Sequence, residues 1–289
     1  MERVIEILKY FPTDIYNLIM DTLSVNQYNR EHLQEIRIRA NRPIILKYMN
    51  FDIILQYVIR TEDILQILER FCENSIYAYK SQICQGFITI KGGHRVGITG
   101  TVVIEDKKII NIKYVSSLNI RVAREVINCS SGILNQILDI NNQTINNTLI
   151  ISPPGKGKTT MLRDVVRQIS NGIPTKNFKG LTVGLIDERG EVAATYKGIP
   201  QNDVGVRTDI IGNVDKAKGI EMLIRSMAPD VIACDEIGGN DDIFAIKKAM
   251  LCGVKGIFTM HGKDMEDLKK NKPVYSLIEN KQIEKLIFI

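Results

Sequence analysis

Four short apolar runs punctuate the second half of the chain: "TLIIS" from Thr148, "LTVGLID" from Leu181, "DVIACDE" from Asp230 and "KGIFTMH" from Lys255. Each is apolar at nearly every position rather than at alternate ones. That is the pattern of a strand buried on both faces. Helical stretches separate the runs, the first opening near Lys158. Strand–helix alternation of this kind predicts a parallel sheet with helices on both faces. The first half has another texture. "TEDILQILERFCENSIYAY" carries Ile64, Leu65, Leu68 and Phe71 at helical spacing, and predicts a helix with one apolar stripe. "QGFITIKGGHRVGITGTVVIEDKKIINIKYVSSLNIRVA" alternates as strands do, with Gly92-Gly93 as a hairpin turn.

The texture changes near Cys129 to Ser131. We therefore expect an α+β domain over residues 1–129 and an α/β domain over 130–289. "SGILNQILDI" reads as a helix leading into the second domain, and "DINNQTINN" (139–147) as a loop before its first strand.

Composition adds limits rather than identity. The 289 residues are 44% hydrophobic and 25% charged, a globular balance, and the net charge of +5 permits an acidic partner without requiring one. No apolar run reaches 18 residues, so no segment is expected to span a membrane. The start, "MERVIEILKYFPTDIY", does not read as a secretory signal. The five cysteines, Cys72, Cys84, Cys129, Cys234 and Cys252, form no CxxC pair. They are expected to be reduced, buried thiols of a cytosolic protein.

The first apolar strand runs into "SPPGKGKTT", which has the form of a phosphate-binding loop, G-x-x-x-x-G-K-[ST], with Ser152 at the first glycine. The backbone N–H groups of residues 154 to 159 (Pro154, Gly155, Lys156, Gly157, Lys158, Thr159) would wrap phosphates, with Thr160 next to them. Lys158 would meet the β- and γ-phosphate charge of a nucleotide, and Thr159 would hold Mg²⁺. A small residue serves at Ser152 if its backbone angles are ordinary.

Asp235 and Glu236 end the third apolar run. Paired acids at a strand end can be a solvated loop start. Downstream of a phosphate loop they suit metal binding through water (Asp235) and orientation of an attacking water (Glu236). Asp187, Glu188, Arg189 and Glu191 end another run, and His261 a fourth. Ligands of parallel sheets lie beyond the carboxyl ends of the strands, so Asp187, Asp235 and His261 are expected to converge beside the loop. Arg121, Arg124, Arg207 and Arg225 are either solvated or aimed at phosphate charge across an interface.

In this order, "PPGKGKTTMLRD", "IDERGEV", "RSMAPDVIACDEIGG" and "TMHG" resemble the secretion-type ATPases of bacterial type II and type IV systems. The phrases "QGFITIKGGHRVGITGTVV", "SSLNIRVARE" and "GVRTDI" resemble a sporulation-associated branch of that family. The resemblance implies a RecA-like P-loop NTPase domain of α/β class behind a smaller α+β domain. It implies Lys158 and Thr159 for ATP and Mg²⁺, and Asp187, Glu188 and Glu191 as an acidic box. Asp235 and Glu236 become Walker B and His261 a histidine box, with Asp187 and Asp235 beside the metal and Arg207 among the catalytic candidates. It also implies a homo-hexameric ring in the cytoplasm that energises a membrane-embedded secretion or channel apparatus. Two rivals stay open. A RecA-like nucleic-acid-dependent ATPase is disfavoured by the absence of tryptophan and by 6% aromatics without a basic stripe. A non-hydrolysing scaffold is disfavoured by the Asp235-Glu236 pair.

Overall fold

The structure is a computed structural model and describes residues 2–25 and 32–289. The chain forms two compact units, Met1–Arg124 and Glu125–Ile289.

The first unit opens with α1 (Glu2–Leu8) and α2 (Thr13–Ser24). Strands β1 (Glu35–Arg39), β2 (Pro43–Lys47) and β3 (Asp52–Val58) follow, then α3 (Thr61–Phe71) and α4 (Lys80–Cys84). Strands β4 (Phe87–Ile90), β5 (His94–Glu105) and β6 (Lys108–Arg121) complete it. The six strands form one antiparallel sheet in the order β3-β2-β1-β6-β5-β4. Period-2 alternation decides its faces. Ile36, Ile38, Ile44, Leu46, Ile88, Val96, Leu118 and Ile120 are buried on one side. The neighbours Glu35, Arg37, Arg95 and Arg121 fall on the other. The expected hairpin turn joins β4 to β5, with Gly92 and Gly93 at φ 84° and 76°, where a side chain would be strained. The stripe of α3 needs one correction: Leu65 is 42% exposed and Ile67 is buried in its place. At 100° per residue, position 67 shares a face with 64 and 71 while 65 turns away.

The second unit begins with α5 (Leu134–Ile137) and a small antiparallel pair, β7 (Leu138–Asp139) and β8 (Thr144–Ile145). The helix expected over "SGILNQILDI" is thus a single turn, and the expected loop holds a hairpin. Leu134, Ile137, Leu138 and Ile145 are all buried in one core, so packing overrides helical continuity here. Then come β9 (Thr148–Ser152), α6 (Lys158–Asn171), β10 (Val183–Asp187), β11 (Thr208–Gly212) and α7 (Lys216–Met227). After them come β12 (Val231–Cys234), α8 (Asn240–Leu251), β13 (Lys255–His261), α9 (Met265–Lys270), α10 (Lys272–Glu279) and β14 (Lys285–Phe288). The sheet order is β11-β10-β12-β13-β9-β14, and every pairing is parallel. The runs are buried throughout, but their residues still alternate between two cores. Ile150, Leu185, Ala233 and Ile257 join Leu162, Val165 and Ile169 of α6. Leu149, Ile151, Ile186, Ile232 and Phe258 join residues of α7, α8 and α10.

All five cysteines are free thiols, but only Cys72 and Cys234 are buried; Cys84 and Cys129 are half-buried and Cys252 is exposed. Among the described residues, no helix is long and apolar enough to cross a membrane.

One polar cluster fixes the start of the second unit. Asp164 on α6 is buried and accepts hydrogen bonds from the Asn128 N–H at 3.0 Å, the Ser130 N–H at 2.8 Å and the Ser130 hydroxyl at 2.7 Å. Arg167 pairs with it at 2.7 Å. Burial pushes this carboxyl upward, but the donors from Ser130, Arg167 and Asn128 outweigh burial and hold it down to about 2. A depressed folded-state value stabilises the fold above pH 4, and that contribution fades as pH falls towards 2. Asp164→Asn should therefore cost about 2 kcal/mol at pH 7, the effect of leaving buried donors short of an acceptor. Urea denaturation at pH 7 and pH 3 should show the deficit shrinking at the lower pH.

Candidate active site

Parallel strands end on one edge of the sheet, so residues far apart in the chain meet there. His261 at the end of β13 is in register with Ser152 at the end of β9. Asp235 and Glu236 follow β12, which lies between β13 and β10.

Ser152 lies in β9, fully buried, with its hydroxyl donating to the Pro153 carbonyl at 3.1 Å. Its φ is not among the positive ones, which is why a side chain is tolerated where the motif expects glycine. The turn that needs glycine comes later. Gly155 and Gly157 stand at φ 76° and 87°. A Cβ at either would meet nothing within 4 Å, so open space lies over the loop. Residues 154–157 are exposed, while Lys158, the first residue of α6, is 5% exposed. The amides of the first helical turn have no acceptor within the helix. Pro154 has no N–H, so the wrap of donors expected from residue 154 can begin only at Gly155.

The Lys158 ammonium donates to Glu236 Oε1 at 3.0 Å and lies 3.3 Å from His261 Nδ1. Lysine can only donate, so Nδ1 accepts and the imidazole proton sits on Nε2. His261 Nε2 then donates to Glu236 Oε1 at 2.6 Å. Arg189 Nη1 takes the other carboxylate oxygen, Oε2, at 2.9 Å. Burial pushes the Glu236 carboxyl upward, but Lys158, His261 and Arg189 together hold it below its ordinary value. Its backbone is left-handed, φ 54°, a conformation that costs about 1–2 kcal/mol for a residue with a side chain. The Glu236 N–H donates to Thr259 Oγ1 at 2.9 Å, which helps hold it there.

Asp235 stands beside this pair. Its Oδ2 accepts from the Thr159 hydroxyl at 2.6 Å and its Oδ1 from the Thr259 hydroxyl. Thr159 and Asp235 are the two hard oxygen donors that a Mg²⁺ ion at this edge would use.

Asp187 is a correction. It reaches the same edge, but both of its oxygens face the backbone rather than the open side. Oδ1 accepts the N–H groups of Glu191 and Val192, and Oδ2 that of Ala193 at 2.8 Å. It is 3% exposed, and burial raises its carboxyl above the ordinary value. A metal-ligand role does not fit this arrangement; Asp187 closes the loop that carries its neighbours. Glu188 turns to an ion pair with Lys216 at the start of α7. Glu191 lines the same cleft and offers its carbonyl to Arg163. Thr160 follows Thr159 in the helix, half-exposed, its carbonyl accepting from the Cys129 thiol.

Arg207 is not brought to the loop within this unit. Its guanidinium donates to the Ser170 and Asn171 carbonyls, at the end of α6 opposite Lys158. Arg225 sits exposed in the last turn of α7, the end away from Lys216. Arg124 donates to the Leu33 carbonyl and Arg121 lies 4.0 Å from Glu35, both inside the first unit.

Sequence reasoning missed Lys216, Thr259 and Arg163. Thr259 had a signal: it is the one polar residue inside the apolar run "GIFTM". Lys216 had none, since it resembles any other lysine at a helix start.

Comparison with known proteins places the chain in a family and gives its fold. Residues 1–289 match the family described as sporulation stage III, protein AA. The chain is 36% identical over 282 residues to stage III sporulation protein AA of Bacillus subtilis (strain 168), covering 98% of this chain and 89% of the relative. A second relative, the uncharacterized protein ycf45 of Porphyra purpurea, is 29% identical over 163 residues, 56% of this chain and 27% of its own. Two solved structures share the fold. The Legionella pneumophila ATPase DotB has a TM-score of 0.58 at 15% identity, covering 92% of this chain and 70% of its own. The pilus retraction motor PilT with bound ADP has a TM-score of 0.59 at 13% identity, covering 92% and 72%. The second unit is thus a RecA-like α/β fold.

Thr259 offers a test of the site's scaffold. Thr259→Val keeps the volume but leaves the Glu236 N–H without its acceptor and Asp235 Oδ1 without the Thr259 donor. We expect a loss of about 1–3 kcal/mol in urea denaturation, clearly more than for Thr160→Val.

Proposed function

The chain belongs to the sporulation stage III protein AA family, and we propose that it is a Mg²⁺-dependent ATPase that works as the motor of a sporulation-associated secretion or channel apparatus. The observation that carries this reading is the meeting of Lys158, Thr159, Asp235 and Glu236 at one sheet edge, beyond two left-handed glycines. The solved relative PilT carries ADP, which supports the choice of nucleotide.

The residues fit the nucleotide and its metal. The open space over Gly155 and Gly157 and the amides of the first turn of α6 suit a chain of phosphates at a positive helix end. Lys158 would exchange its contact with Glu236 for phosphate oxygens. Thr159 and Asp235 would hold Mg²⁺, which supplies charge neutralisation at the transferring phosphoryl group. Glu236, released from Lys158, would orient water and accept its proton. His261, whose Nδ1 already faces Lys158, would report the arrival of phosphate charge by hydrogen bonding. Glu188 would hold Lys216 in the cleft. An arginine from elsewhere in a ring would complete the charge balance. Arg207 remains a candidate only across a subunit interface, since inside its own unit it caps α6. Assembly as a homo-hexamer in the cytoplasm, against membrane-embedded partners, belongs to the same proposal and is supported by the resemblance to secretion-type ATPases.

Two variants test it. Lys158→Ala should reduce phosphate release from Mg-ATP by at least about a hundredfold; a variant that hydrolyses normally sinks the reading. Glu236→Gln should bind ATP, release almost no phosphate, and show a mass near six chains by light scattering with Mg-ATP. A monomer that binds ATP fully would remove the ring from the proposal.

A further inference from the structure

The loop after β10 leans on an arginine that the chemistry above does not use. Arg163 lies on α6, the helix that begins with Lys158, and is 8% exposed. Its Nε donates to the Val192 carbonyl at 2.5 Å and its Nη2 to the Glu191 carbonyl at 2.8 Å. The N–H groups of the same stretch go the other way. Those of Glu191 and Val192 reach Asp187 Oδ1 at 2.9 and 3.1 Å, and that of Ala193 reaches Oδ2 at 2.8 Å. The peptide groups of residues 191–193 therefore lie in series between a buried carboxylate and a buried guanidinium. Each charge meets the end of the dipole that stabilises it, which makes its burial tolerable. Asn202 adds a third hold, its amide donating to the Val192 carbonyl at 2.9 Å.

What this segment carries explains why it is held. The preceding turn bears Glu188, paired with Lys216, and Arg189, which grips Glu236 Oε2 at 2.9 Å. When Lys158 turns to phosphate, Glu236 keeps only Arg189 and His261 on its carboxylate. Its left-handed backbone then depends more heavily on those contacts. Arg189 is itself 65% exposed, so its reach is set by the turn beneath it.

We propose that Arg163 is a positioning residue for Glu236: it clamps residues 191–193 to α6, which sets the 188–190 turn and so holds Arg189 against the Glu236 carboxylate. The proposal rests on the reading of Glu236 as the group that orients water. A guanidinium suits the task because its planar fork reaches two successive carbonyls, which an ammonium cannot do with the same geometry.

Two readouts test it on the full chain. The first is amide hydrogen exchange without nucleotide, followed over peptides covering 187–193. In Arg163→Lys the amides of 191–193 should exchange about tenfold faster, while those of β10 keep their rates. Asp187→Asn, which loosens the same segment from its N–H side, should do likewise. Arg189→Ala should leave this exchange unchanged, since the clamp lies beneath it. The second readout is steady-state kinetics. Arg163→Lys and Arg189→Ala should each lower kcat about tenfold with KM within about threefold. The double variant should be no worse than Arg189→Ala alone, because both act on one contact. Unchanged exchange in Arg163→Lys overturns the clamp. Losses that multiply to about a hundredfold in the double variant overturn the route through Arg189. A wild-type chain without Lys158-dependent phosphate release sinks the ATPase reading instead, and the exchange arm still decides the clamp.

Discussion

The ammonium of a lysine that is only 5% exposed cannot remain alone, and the rest of the site follows from that constraint. Lys158 is taken out of water by the first turn of α6, so a carboxylate must come to it. The partner is Glu236, 78 positions later in the chain. Glu236 is then shared: Lys158 and His261 use one oxygen and Arg189 the other. Residues at or just beyond the ends of three different strands are thereby tied to one carboxylate. In this state the lysine's charge is balanced by protein, and phosphate oxygens offer the natural replacement.

The order of the strands is what permits this. Because β12 lies between β13 and β10, and β13 lies beside β9, the ends carrying Ser152, Asp187, Asp235 and His261 are neighbours on one edge. Thr259, one layer below, ties the arrangement to the sheet: its hydroxyl meets both Asp235 and the Glu236 N–H. The strained backbone of Glu236 is thus held from the sheet below and from the side chains above. A flexible loop would not keep a left-handed glutamate in place.

The helix after the phosphate loop does more than present amides. Asp164 gathers the N–H groups of Asn128 and Ser130, and Arg163 gathers the carbonyls of Glu191 and Val192. Adjacent residues of one helix therefore fix two separate segments of backbone, one by accepting and one by donating. Both are buried charges satisfied by peptide groups, which is costly to build and stiff once built.

The local patterns were legible without coordinates. Unbroken apolar runs between helical stretches dictate a parallel sheet, since only a strand covered on both faces needs to be apolar throughout. The glycines of the loop and the lysine and threonine after them were equally plain, because their roles depend on neighbours in the chain. The Asp235-Glu236 pair and His261 were legible as strand ends. The part each side chain plays was another matter. Asp187 read as a metal ligand, but its oxygens are taken by three amides of its own loop. Arg207 read as either solvated or aimed at phosphate across an interface; within its own unit it caps the far end of α6. Lys216, Thr259 and Arg163 carried little or no signal. Contacts along a helix or turn are encoded by spacing, and spacing is visible in a sequence. Contacts between strand ends 76 to 103 residues apart depend on sheet order and rotamer, and only the folded chain decides those.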